Sequence, residues 1–414
     1  MTQKIVVIGG GIIGLSSAYY LKKRGYDVTV IDKGIPGEGC SAGNMGWICP
    51  TLSEPVPAPG LVQTSLKWML QRDSPLYIKP TKVPAMTSWL YKFWRHCNKH
   101  SYESGYKAMR QLSKNSLPLF NEMEEDGDVN FELHQKGLLF LFTEEEAIKA
   151  KYEKLKVITD IGHPIPEIKS REEVAALEPT VSEDVVGGLY LPAERHVRPE
   201  SYLQGMLEWL KRHDVEIKAN TPITKIKKKN GEVKEVRCGR QVIEGDAFLI
   251  TAGVWSAELV KELNVKLPMT AGKGYSITIT EPNIQVSNPL YLGNSKIGIS
   301  PYQHAVRIAG TMELSGINGK IDQKRVQGLR HSVQKYFSTP IEGKERVWTG
   351  MRPMTPDGLP VLGKVPDHKN VFIATGHAMS GISMSLSTGK LMSDLIAGAH
   401  SPCELSPFSL TRFQ

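Results

Sequence analysis

The sequence predicts an α/β protein in which a βαβ unit of the parallel-sheet kind opens the chain and a second, α+β region built on an antiparallel sheet is threaded between its parts. Three observations carry this. Near the N-terminus a continuous apolar run ends in clustered glycines and resumes with helical periodicity. Two later apolar runs, at 248–253 and 371–375, have the length and composition of further buried strands. The 414 residues exceed one ordinary hydrophobic core, so two domains or one large composite fold are expected.

Lys4 to Ile8 reads as the first strand and leads into Gly9-Gly10-Gly11-Ile12-Ile13-Gly14. Helical spacing follows through Leu15, Ala18, Tyr19 and Leu21 and ends near Gly25; a second strand, Val28 to Ile31, runs directly into Asp32. In a GxGxxG turn between strand and helix, Gly9 permits the tight turn, Gly11 lets a pyrophosphate reach the backbone, and Gly14 lets the helix pack on the strand. The helix start, at Ile12 and Ile13, offers unpaired N–H groups and a positive dipole end to phosphates, and Asp32 can accept hydrogen bonds from a ribose. This is the signature of a Rossmann-like dinucleotide site, and by itself it does not separate FAD from NAD.

Composition narrows the setting. The net charge of +8 is modest for this length, and the longest basic run, residues 225–229, reads as an exposed strand end before an Asn230-Gly231 turn, so nucleic-acid binding is not expected. The five cysteines include no CxxC pair and join no histidine cluster, which argues against a metal site or disulfide framework and for a reduced, cytoplasmic setting. Residues 5–21 are apolar but broken by four glycines, so they read as strand, turn and helix rather than signal peptide or membrane span. No other apolar run approaches the length of a transmembrane helix.

After Asp32 and Lys33 the chain runs to residue 46 through a glycine-rich segment with neither helical nor strand period. A loop of that length in a compact domain is usually functional. The sequence here resembles the D-amino-acid dehydrogenases of small-subunit type, within the wider group of glycine, sarcosine and D-amino-acid oxidases, over nearly the whole chain. The likeness is densest in five places: Gly9 to Gly14 with Asp32; Ser41-Ala42-Gly43-Asn44-Met45-Gly46; Lys273-Gly274-Tyr275-Ser276; Trp348 through Arg352 and Asp357 to Pro360; and Thr375-Gly376-His377 with Gly381. Gly43 and Met45 stand where that family often has alanine, and residues 378–383 are as similar to the broader oxidase group, which leaves substrate choice open.

The resemblance implies non-covalently bound FAD, with the 41–46 loop at the flavin. It places Ile223 on the adenine side and Gly376, His377, Gly381, Ile382 and Ser383 at the start of a C-terminal FAD-binding helix, residues 380–397. Thr251, Ala252, Gly253 and Trp255 follow a strand that ends at the nucleotide. The FAD-binding domain is then discontinuous, 1–50, 198–260 and 350–414, with a helix starting at Arg198-Pro199 and apolar at Leu203, Met206, Leu207 and Leu210. Residues 51–197 and 261–349 form the substrate-binding domain, with strand-like stretches at 137–142, 275–280 and 306–310.

An amino acid's carboxylate needs a fixed cation in an apolar pocket, and arginine's planar fork suits it. Arg352 is the candidate, a role the resemblance assigns to its counterpart; the alternative is a structural arginine paired with a carboxylate such as Asp357. Tyr275, and less strongly Tyr302, would add a hydroxyl to the same carboxylate or serve as core tyrosines. His377 would orient cofactor or substrate, act as a base, or be a hydrogen-bonded structural residue; His196 lies at the pocket or caps a turn. Cys40 and Cys49 flank the flavin loop and read as small buried residues rather than a covalent or redox site. The N–H groups of residues 381–383 would stabilise charge on the reduced flavin.

The expected reaction is oxidative deamination of a D-amino acid, with D-proline or a hydroxyproline epimer as a close variant. Hydride passes from Cα to flavin N5, the imine becomes a 2-oxo acid, and electrons go to quinone or another acceptor. The competing readings are a glycine- or sarcosine-type oxidase releasing peroxide, and a non-catalytic flavoprotein. Residues 66–70 and 89–95 mix aromatic with basic residues, which suits either peripheral contact with the cytoplasmic membrane face or helices packed on the substrate domain.

Overall fold

The computed structural model describes residues 2–63, 75–156, 163–400 and 403–414. Among them, four sheets form: one of six strands, one of nine and two of three. The aromatic-basic segment at 66–70 lies outside the described residues.

The six-stranded sheet runs, in spatial order, Glu216–Lys218, Asp27–Ile31, Lys4–Ile8, Ala247–Ile250, Val371–Thr375 and Val361–Lys364. The first five are mutually parallel and the last is an antiparallel edge. Strict alternation splits its side chains between two cores. Ile5, Val7, Val28, Val30 and Leu249 pack under helices Ile12–Lys23, Pro199–Arg212 and Ser385–Ile396. Val6, Ile8, Ile31, Phe248 and Ile250 pack against Ile226, Val233, Val236 and Ile243 of a small sheet spanning Lys225–Lys229, Glu232–Cys238 and Gln241–Glu244. The basic run at 225–229 is the first strand of that sheet, and Asn230 (φ 55°) and Gly231 (φ 73°) close its hairpin in the left-handed region.

The nine-stranded sheet is mixed. Starting from one edge, four antiparallel strands run in the order Lys344–Met354, Thr270–Thr280, Ala305–Leu314 and Ile297–Tyr302. Helix Gln323–Gln334 buries Val326, Leu329 and Val333 on one face, against Tyr275, Ile277 and Ile279. Strand Lys344–Met354 runs continuously across position 350 and pairs within this sheet. One helix boundary differs from the sequence reading. The C-terminal helix begins at Ser385, not 380, because Ala378 takes a left-handed backbone (φ 48°) and residues 381–384 form a turn instead.

Candidate functional site

The carboxyl ends of the parallel strands gather the predicted cofactor residues. Gly9 follows one strand, Asp32 its neighbour, Thr251, Ala252 and Gly253 the next, and Gly376 the last. That edge is where open α/β sheets bind ligands. Gly9 has φ 116°, and a Cβ there would lie 2.6 Å from the Thr251 carbonyl oxygen; one on Gly14 would lie 1.9 Å from the Gly9 oxygen. The Thr251 hydroxyl donates to the Gly9 carbonyl (2.8 Å), joining two strand ends. Asp32 accepts from Gly10 N (2.7 Å) and Gly34 N (2.8 Å), which leaves further lone pairs on both oxygens for a ribose. Thr221 N donates to the Asp32 carbonyl (2.7 Å), bringing the segment that carries the half-buried Ile223 alongside. Lys33 Nζ stands 3.3 Å over the Trp255 ring.

This edge fits a dinucleotide. Helix Ile12–Lys23 has no side-chain N-cap and no acidic residue in its first turn. Ile12 N donates to Ser41 Oγ (3.2 Å), while the N–H groups of Gly11, Ile13 and Gly14 have no acceptor among the described residues. A Cβ on Gly11 would meet nothing closer than Ser41 Oγ at 3.6 Å, so a phosphate has open access. At the other end of the site, the N–H groups of Gly381, Ile382 and Ser383 likewise lack acceptors among the described residues. Two sets of unpaired backbone donors are what the pyrophosphate and an anionic flavin edge need.

Loop 41–46 is held by side chains of the nine-stranded sheet. Ser300 Oγ and Tyr302 OH both donate to the Met45 carbonyl at 2.8 Å. Arg307 Nη1 donates to the Ala42 and Asn44 carbonyls (2.8 and 2.9 Å), Nε to Thr278 Oγ1 (2.9 Å), and Nη2 to Glu200. Asn44 Oδ1 accepts from Gly46 N (2.9 Å), and Gly46 approaches Val197 so closely that a Cβ would lie 1.8 Å from its carbonyl oxygen. Arg307 was not singled out from sequence, although an arginine between the apolar residues Ala305, Val306, Ile308 and Ala309 was a visible signal.

Strand register decides which candidates face this loop. Thr270–Thr280 pairs regularly with Lys344–Met354, with Gly272 opposite Arg352, Gly274 opposite Gly350 and Ser276 opposite Trp348. Residues two apart share a face, so Arg352 and Trp348 stand with Gly274, Gly350 and Ser276. Tyr275 is on the other face, in the core under helix Gln323–Gln334, and its hydroxyl donates to Glu313 Oε2 (2.5 Å). It therefore does not reach the carboxylate site expected of it. Ser276, one residue on, is buried on the site face and its hydroxyl has no partner. Tyr302 is also reassigned: its hydroxyl is committed to the Met45 carbonyl, making it a loop anchor.

Arg352 lies over the facing glycines. A Cβ on Gly274 would fall 2.5 Å from Cζ, so only glycine leaves room for the guanidinium. Nη1 donates to the Thr311 carbonyl (2.9 Å). No carboxylate among the described residues forms an ion pair with it, and desolvation holds its pKa below the ordinary arginine value. Asp357, the alternative partner, is taken by Arg412 in the C-terminal tail (2.6 and 3.2 Å). Beside Arg352, the Trp348 indole covers Gly350 and Gly43; a Cβ on Gly43 would lie 2.0 Å from the ring.

Burial holds both candidate histidines in the neutral form. His377 is buried, bonded through Nε2 to Thr388 Oγ1 (3.0 Å), and desolvation lowers its pKa from 6.5 to about 3. His196 is stacked on His134, bonds the Pro301 carbonyl, and is likewise lowered to about 3 by burial. Burial raises the thiols, Cys40 to about 11 and Cys49 well above 9, so neither is a thiolate nucleophile. The histidines set an acid limit instead. Between pH 6.5 and 3 the unfolded chain binds protons that the folded histidines refuse, so their stabilisation is complete above 6.5 and is lost as pH falls. Buried Glu194, raised by desolvation from 4.5 to about 7, acts oppositely over pH 7 to 4.5 and offsets about one histidine. Wild-type Tm should fall from pH 6.5 to 4.5, and His377→Gln should flatten that slope by about 2 kcal/mol at pH 5. Differential scanning fluorimetry giving the same slope for both proteins would refute this.

Residues 4–395 match the family described as FAD dependent oxidoreductase. The chain belongs to that family. As an FAD-dependent oxidoreductase it uses FAD, and the unpaired donor sets at residues 11–14 and 381–383 of the Rossmann-like sheet edge fit that group. It is 30% identical over 417 residues to the D-amino acid dehydrogenase of Vibrio atlanticus (strain LGP32), covering 99% of this chain and 100% of the relative. It is 31% identical over 422 residues to the D-amino acid dehydrogenase of Bradyrhizobium diazoefficiens, covering 99% of each. Its fold is shared with glycine oxidase from Geobacillus kaustophilus (TM-score 0.77, 23% identity, 99% of each chain). It is also shared with L-proline dehydrogenase from P. horikoshii (TM-score 0.76, 19% identity, 100% and 98%).

Proposed function

We propose that this FAD-dependent oxidoreductase oxidises the Cα–N bond of a D-amino acid and releases the 2-oxo acid. The observation that carries the reading is Arg352, a desolvated guanidinium on the cofactor side of the sheet with no counter-ion among the described residues. Maintaining such a cation is costly unless an anion completes it, and a substrate carboxylate does so bidentately. The full-length likeness to two D-amino acid dehydrogenases supports the D configuration, with D-proline or a hydroxyproline epimer within the same class.

FAD, when bound, supplies the acceptor for the hydride leaving Cα. The chain's residues position and desolvate. Arg352 fixes the carboxylate, Thr311 fixes Arg352, and Trp348 walls the space beside it. With His377 lowered to about 3 and bonded to Thr388, a side-chain base is absent there; the amine enters neutral, and loss of hydride from Cα and a proton from nitrogen leaves the imine. Water then adds, giving 2-oxo acid and ammonia from an acyclic imine, whereas the cyclic imine from D-proline keeps its nitrogen on the carbon chain. We assign the segments before residue 50, at 198–260 and after 354 to FAD binding, and the nine-stranded sheet with its helices to substrate. Anaerobic bleaching of the flavin by a panel of D- and L-amino acids tests this. Reduction by a D-amino or imino acid is expected; none by any member would reject the reading.

Quinone or another acceptor takes the electrons, and helix Val83–His96 suits membrane contact. It turns Trp89 and Phe93 inward and leaves Tyr91 and Trp94 56% and 57% exposed beside Lys92 and Arg95. Among the described residues no helix is long and apolar enough to cross a membrane. Flotation with anionic vesicles, abolished in Tyr91→Ser/Trp94→Ser, is the expected result; no flotation of the parent protein refutes peripheral attachment.

A further inference from the structure

We infer that Arg325 is a positioning residue for Arg352, acting through Thr311 from the opposite face of the sheet. This rests on the reading of Arg352 as the carboxylate cation. Strand Ala305–Leu314 carries a bulge: Tyr275 pairs with Gly310, yet Lys273, two residues away, pairs with Glu313. The extra residue falls next to Thr311, whose φ of 56° is left-handed. A β-branched residue is a genuine outlier there, and it persists only where its surroundings hold it. The bulge turns the Thr311 carbonyl to the guanidinium, so that Arg352 Nη1 donates to it at 2.9 Å.

Arg325, on helix Gln323–Gln334, is what holds Thr311. Its Nη2 donates to Thr311 Oγ1, and its guanidinium lies 5.8 Å over the Tyr77 ring. Like Arg352, it forms no ion pair with a carboxylate among the described residues. Its Nε is buried without a partner. The charge of this half-buried guanidinium is favoured by nearby Glu313 and Asp322, but neither carboxylate bonds it, and its hydrogen bond among the described residues goes to the Thr311 hydroxyl. The arrangement is a clamp: one arginine grips the side chain of Thr311 and the other its carbonyl. Loss of the Thr311 hydroxyl or of Arg325 frees the strained backbone to relax and withdraws the acceptor that aims Arg352.

The test uses holoenzyme with D-proline and D-alanine as probes. Arg325→Met and Thr311→Ala should each raise KM about tenfold while kcat changes by no more than about threefold, and the double variant should match either single one. Thr311→Ser, which restores the hydroxyl, should recover most of the affinity lost in Thr311→Ala. If Arg325→Met does not fold or load FAD, the Ala and Ser variants carry the test alone. Arg352→Met is measured alongside. If it raises KM while Arg325→Met and Thr311→Ala leave it within about twofold, or if their effects multiply, the clamp is wrong and the carboxylate role stands. If Arg352→Met leaves KM unchanged, the underlying reading fails and the clamp with it.

Discussion

Arg352→Met should load FAD normally, keep or raise Tm, and raise KM by about two to three orders of magnitude. Truncating one partner of a buried, hydrogen-bonded charge pair costs about 2–5 kcal/mol, and every 1.4 kcal/mol is tenfold. The stability arm has the opposite sign from a structural arginine. Arg352 has no internal counter-ion among the described residues, so its removal strands no buried carboxylate and lifts a desolvation penalty. Arg412→Met is the contrast, because it leaves Asp357, a partly buried acid, without its partner. A fall in Tm on Arg352→Met with KM unchanged would make Arg352 a fold residue.

Arg307→Met should lower FAD affinity by about two orders of magnitude. Arg307 is 3% exposed and bonds two carbonyls of loop 41–46, a hydroxyl of the sheet and Glu200 on helix Pro199–Arg212. Its loss leaves the Ala42 and Asn44 carbonyls without that donor, each worth about 1–3 kcal/mol where water cannot replace it, while the Glu200 side chain is partly solvated. That free energy is the difference between an ordered loop waiting for flavin and one ordered at the expense of binding. The FAD dissociation constant, from fluorescence quenching of the reconstituted apoprotein, reads it directly. An unchanged constant would remove Arg307 from the cofactor's support.

What sequence disclosed and what it withheld divide along physical lines. The nucleotide edge was legible because each part is local: strand, glycine turn and helix follow in order, and Asp32 ends the next strand. The substrate face was not, because strand Thr270–Thr280 is buried on both sides and shows no apolar-polar alternation. Parity alone separates Tyr275 in the core from Ser276 at the site, and parity is visible only once Gly274 is seen opposite Gly350. Long-range pairing was likewise hidden. Asp357 reads as a partner for nearby Arg352, yet Arg412 claims it from the tail, which is what leaves Arg352 free for an anion. The Ser380 helix start failed because nothing in its composition announces a left-handed alanine at 378.

The central claim is that an amino acid's carboxylate seats on Arg352. Its most direct test is anaerobic mixing of the holoenzyme with the D-amino acid that bleaches it fastest, and with that compound's carboxamide, at equal concentration. The two share Cα, amine and side chain and differ only in the charge offered to the guanidinium. Rapid reduction by the acid, with reduction by the amide slowed at least about a hundredfold, is the predicted result. Equal rates from both would contradict the account, since they would leave a half-buried arginine, without a counter-ion among the described residues, with no part in holding the substrate.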